Sequence, residues 1–216
     1  MKMKSLSSIP ILIALFFSTL TLSLKAQDSV LLNYDRATVS YSHTDDWLGL
    51  GSISSELDID IDTVSLSYLN EISGSYIIGA GLAYGRFDGD VDELATYSLG
   101  IGKIFQINEN LNLIGGLELD YLDIQYSYSS NFLFLTPSLT FDYAFSDKFG
   151  ATVQVGWIED LDAELGGVDI SGFMEGDWAI QLLTTYVVHA KVGLHLGINL
   201  NTDGFSTPSI GLSYNW

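Results

Sequence analysis

From Arg36 onward every second residue is apolar or aromatic, and the residues between are mostly Gly, Ser, Thr, Asn or Gln. A two-residue period of this kind dictates strands with one oily and one polar face. The stretch 75–86 shows it most cleanly: Tyr76, Ile78, Ala80, Leu82 and Tyr84 share one face, and Gly79, Gly81, Ala83 and Gly85 share the other. Ten such segments can be read, marked in order by Tyr41, Leu66, Leu82, Leu99, Leu117, Leu139, Val153, Leu182, Leu196 and Leu212. Each apolar stretch spans roughly nine to eleven residues, the length a tilted strand needs to cross a hydrocarbon layer.

The chain is 47% hydrophobic, yet past its N-terminal region it has no run of about eighteen apolar residues from which a membrane helix could be made. Connections alternate between short (70–74, 106–110, 146–148, 189–190) and longer (43–57, 87–94, 123–131, 158–176), with 201–206 as the exception. Short inner turns and long outer loops are the barrel arrangement. The reading is therefore all-β: a transmembrane antiparallel up-and-down β-barrel of about ten strands. Eight is the alternative, because the first hairpin is weakly patterned. On this register Tyr41, Tyr84, Tyr97, Tyr121, Trp157 and Trp178 fall at one level of the outward face. Tyr68, Tyr76, Phe105, Tyr143, Phe145, Phe149, Tyr186, Tyr214 and Trp216 fall at the other. Two aromatic levels with aliphatic residues between them match the two interfaces of a bilayer.

Lys2 and Lys4, the apolar run from Ile9 and the small-residue end at Ala26 read as a secretory signal peptide over 1–26. A short periplasmic segment is expected over 27–35 and the barrel domain over 36–216. Cysteine is absent, which excludes a disulfide framework, a thiolate metal site and a cysteine nucleophile.

Removing the leader takes three of the eight bases and none of the 27 acids. So acidic a chain is excluded as a nucleic-acid binder. Most acids fall on the outer loops and strand tips, where Arg86 alone opposes them, while Arg36, Lys103, Lys148 and Lys191 lie near the inner rim. Asp58, Asp60 and Asp62, with Asp88, Asp90 and Asp92, supply hard oxygen ligands and form a candidate divalent-cation cluster, but no full calcium-loop spacing follows. No resident metal or other cofactor is implied. The inward set is mostly Gly with Ser and Thr, and carries Glu118, Asp120 and Asp142 with Arg36, Lys191 and His195 as candidate partners. Buried charges need partners or water, so the lumen is either a hydrogen-bonded plug or a narrow, cation-biased path. Catalysis has one candidate locus, His43 beside Asp45 and Asp46, with no nucleophile spaced to complete a mechanism.

Gly211, Tyr214 and Trp216 close the sequence as a glycine followed by alternate aromatics. This resembles the terminal assembly signal of outer-membrane barrels, which implies recognition by the barrel-insertion machinery. With the leader and the alternating strands, the chain resembles the small outer-membrane β-barrel superfamily of the OmpA and OmpX type, often described as porin-like, with one hairpin added to its eight-stranded members. The resemblance covers nearly all of 36–216 and implies a monomer in the outer membrane of a Gram-negative bacterium. The expected function is non-enzymatic: a structural or surface-interaction role carried by acidic outer loops. A small cation-biased pore is the alternative, and an outer-membrane hydrolase the distant one.

Overall fold

The computed structural model describes residues 31–44, 61–72, 75–87, 93–125, 129–165, 167–169, 176–201 and 206–216. The leader 1–26 and the outer acids Asp45, Asp46, Asp58, Asp60, Asp88, Asp90 and Asp92 lie outside the described residues.

The strands are β1 (Arg36–Thr44), β2 (Ile61–Ile72), β3 (Tyr76–Phe87), β4 (Glu93–Asn108), β5 (Leu111–Gln125), β6 (Ser129–Ser146), β7 (Phe149–Leu165), β8 (Val168–Asp169), β9 (Asp177–His189), β10 (Val192–Asn201) and β11 (Ser206–Asn215). Two-residue β8 only folds back on the tip of β7. The other ten form a closed antiparallel ring in sequence order, with β7 beside β9. β1 and β11 make the seam, in the register Ala37↔Tyr214, Ser40↔Gly211 and Ser42↔Ser209. Ten strands replace the eight-stranded alternative, because the weakly patterned first hairpin forms a complete ladder from Arg36↔Leu69 to Thr44↔Ile61.

Strands run further outward than the alternation alone suggested. β4 starts at Glu93, β5 reaches Gln125, β6 starts at Ser129 and β7 continues to Leu165, into stretches expected to be loops. The cause is a change of solvent. Above the outer aromatic level polar residues such as Asp123 and Asn131 take outward positions, while Leu122, Ile124 and Phe132 point inward. The period of two persists with its faces exchanged, and the acids disguise it.

Lower on the wall, the outward side chains have no protein to cover them: Leu99 is 65% exposed, Leu196 53% and Ile101 52%. Acyl chains are the natural cover, worth about 1.5–3 kcal/mol for each large aliphatic side chain fully taken from water. The two aromatic levels are present. Tyr97 packs on Tyr121 and Trp157 edge-on against Trp178 at the outer level. At the inner level Tyr68 stacks on Trp216, and Phe145 contacts both Tyr143 and Phe149. Lys103, on the lipid face, carries its ammonium to the inner aromatics, 5.1 Å from the Tyr76 ring and 5.5 Å from that of Phe105, as a snorkelling lysine does.

Gly211 shows why its residue type is needed. A Cβ there would lie 2.9 Å from the Val39 carbonyl oxygen across the seam, and backbone cannot swing away as a side-chain tip can. Gly211→Ala is expected to destabilise the barrel by about 1–3 kcal/mol, the usual cost of overpacking, read as a lowered urea midpoint in detergent micelles.

Candidate functional site

The lumen is built in three levels. At the inner end, residues 31–35 enter the barrel. Tyr34 is 2% exposed and its ring lies on Ile104 and Ile114, with Ile77 alongside. Its hydroxyl donates to Asp142 Oδ2 at 2.9 Å and accepts from Asn112 Nδ2 at 3.1 Å. Thr152 donates to the other oxygen of Asp142. Burial and the Asp142 carboxylate push the Tyr34 phenol up, which keeps it a donor. Leu31 packs on Ala144 and Val187. Asp35 fastens the segment to the rim: its Oδ1 accepts from Asn70 Nδ2 and the Glu71 amide, both at 2.8 Å, and its carbonyl accepts from the Trp216 amide at 3.2 Å.

At the outer end, Ile61, Leu94 and Ile124 form a buried cluster with Leu122 and Phe132 packed against it, and Phe134 stacks on Phe132. Asp160, expected on an outer loop, sits opposite Phe134 on β7, with its carboxylate oxygens shielded from solvent.

Between these levels lies a cavity of about 410 Å³. Serines, threonines, Gln154 and Gln181 line it, together with glycines and the charged or ionisable Arg36, Glu118, Asp142 and His195. Glu118 lies opposite Gly100 of β4. Asp120 follows two residues further out on the same strand face, level with Ser98 and Phe134. His195 is 4% exposed and its Nδ1 is 2.9 Å from Thr185 Oγ1. The Arg36 guanidinium stands 6.0 Å from the centre of the Tyr34 ring.

No protein-family model matches the chain, and no curated protein does. Solved structures do. The β domain of the Bordetella autotransporter BrkA superposes with a TM-score of 0.54 at 10% identity, over 84% of this chain and 99% of that one. The translocator domain of the autotransporter NalP from Neisseria meningitidis gives 0.48 at 11% identity, over 97% and 95%. KdgM porin gives 0.46 at 9%, over 83% and 99%. The fold is that of an outer-membrane β-barrel. Identities this low speak for the fold alone.

Within the barrel the expected lumen residues part company. Arg36, Glu118, Asp142 and His195 share one cavity, whereas Lys191 sits at the inner turn with its ammonium 5.9 Å from the Tyr214 ring. None of the three candidate bases forms a recorded ion pair with a lumen acid among the described residues; the recorded pair is His43 with Asp62, at 2.9 Å on the outer rim. Asp62 Oδ1 also accepts from the Tyr41 hydroxyl. His43 is thus held by Asp62 across β1 and β2. Among the described residues no three His, Asp or Glu side chains converge as a metal would require. Of the assembly-signal residues, Gly211 lies in the seam, Tyr214 under Lys191 and Trp216 against Tyr68. Sequence reasoning missed Tyr34. Its only signal was an apolar-aromatic cluster, Leu31, Leu32 and Tyr34, just ahead of the first strand and too short to show a period.

Proposed function

We propose that this chain is an exported, monomeric barrel of the bacterial outer membrane, inserted by the barrel-assembly machinery. In this reading its lumen is closed, and its role is structural or surface-interacting, carried by the acidic outer rim. It is non-enzymatic and belongs with the small barrels of the OmpA and OmpX type. One observation carries the closed lumen: Tyr34 is buried inside the inner mouth and bonded to the paired residues Asn112 and Asp142 of the adjacent strands β5 and β6. The apolar cluster of the outer lumen, Ile61, Leu94 and Ile124, would slow an ion that passed Tyr34 without closing the path by itself.

Planar-bilayer recording tests the reading. Insertion of the refolded barrel is expected to give no reproducible open steps, and barrel-bearing cells are expected to gain salt-sensitive adhesion to basic surfaces. Regular steps with cation preference would instead establish the pore, with Glu118 and Asp120 setting its selectivity.

A further inference from the structure

The ionisable groups of the central cavity are sorted by wall. Arg36 on β1 and His195 on β10 line one side, and Glu118 on β5 lines the other. In the ring β5 stands four strands from β1 one way and four from β10 the other, so the acid looks across the cavity at the two bases. No recorded ion pair spans the gap among the described residues. Asp142, the other acid of the cavity, is occupied on both oxygens by Tyr34 and Thr152, and His195 Nε2 has no hydrogen-bond partner. The wall beside Glu118 is cleared of side chains: a Cβ at Gly100 would come no nearer than 3.6 Å to any neighbour, and would meet Glu118 at 4.0 Å.

Charges held away from bulk solvent are costly unless opposite charge or well-oriented dipoles stand beside them. Here they face each other across about 410 Å³, a volume in the range of roughly 300–1,000 Å³ that small-molecule sites occupy. We propose that the chamber binds a small zwitterion, its anionic end at Arg36 and His195 and its ammonium at Glu118. Guanidinium suits a carboxylate or phosphate through paired N–H donors. His195 Nε2 adds a donor when Thr185 donates to Nδ1. Serine and threonine hydroxyls along the walls serve the polar body between the two ends.

A series of ω-amino acids from glycine to 8-aminooctanoate serves as a ruler, with hexanoate and hexylammonium as single-charge controls. Probes are present while the whole barrel refolds into nonionic octyl glucoside micelles, so entry past Tyr34 is not limiting, and binding is read by calorimetry against empty micelles. One chain length is expected to bind saturably, at least tenfold tighter than either control. Arg36→Gln and Glu118→Gln are each expected to erase that advantage, Arg36→Lys to keep the charge and restore only part of it, and Glu109→Gln on an exposed turn to leave it intact. Heat-dependent gel mobility reports that each variant is folded. Equal binding of hexanoate, indifference to either charge-removing variant, or no saturable binding by any member of the series overturns the proposal. Conductance plays no part in this readout, so the closed-lumen reading and the zwitterion site fail separately.

Discussion

Tyr34→Ala is expected to cost the folded barrel about 3–5 kcal/mol, the range for emptying a buried aromatic site, and to open a current that the parent lacks. The ring is 2% exposed and covers Ile104 and Ile114. Its removal also strips a donor from Asp142 and an acceptor from Asn112, leaving buried polar groups unsatisfied. Urea unfolding in lipid vesicles reads the first effect and planar-bilayer recording the second. Tyr34→Phe separates packing from hydrogen bonding: it keeps the ring, costs about 1–3 kcal/mol for the orphaned partners, and is expected to stay electrically silent. An unchanged urea midpoint for the alanine variant would mean that residues 31–35 do not occupy the lumen.

The second large effect concerns the outside of the wall. Ile101 lies on the lipid face of β4 midway between Tyr97 of the outer aromatic level and Phe105 of the inner one, and is 52% exposed. Ile101→Arg places a guanidinium at mid-bilayer and is expected to cost about 2–4 kcal/mol, while the same change at Leu161, above the outer aromatics, is expected to cost about 0–1 kcal/mol. Unfolding midpoints measured in vesicles give the contrast. Equal losses at the two sites would show that the hydrocarbon layer does not lie between the aromatic levels.

The wall was legible in the sequence because a barrel strand obeys one rule at every position, inward or outward, and lipid enforces it residue by residue. Leu82, Leu99 and Leu117 announce their face without help from any distant contact. Where the surrounding solvent changes, the rule is harder to read: Leu122, Ile124 and Phe132 belong to strands, yet the polar outward neighbours Asp123, Gln125 and Asn131 made the stretch resemble a loop. The lumen followed from the same alternation, which identified Glu118, Asp142, His195 and Arg36 as inward. It could not say which of them meet, since strands on opposite walls are related only through closure of the ring. Lys191 illustrates the limit: it sits in a turn, where alternation has no force, and it went to Tyr214 instead of an acid. Tyr34 was invisible for a related reason. A five-residue segment bonded to β5, β6 and the C-terminal strand carries its information in partners up to 182 residues away, and none of that is periodic.

The seam between β1 and β11 has a consequence for how the molecule is made. It joins the two strands most distant along the chain, so loop closure there costs more entropy than at any other strand pair. Until it forms, the other strands can exist only as a curved ribbon with two unguarded margins, a shape that invites pairing with foreign strands. Asp35 is tied to Trp216 at that same junction, so one zippering event both shuts the cylinder and seats its stopper. A chain damaged within β11 would therefore yield an open, sticky sheet with its cork adrift, and never a narrower tube.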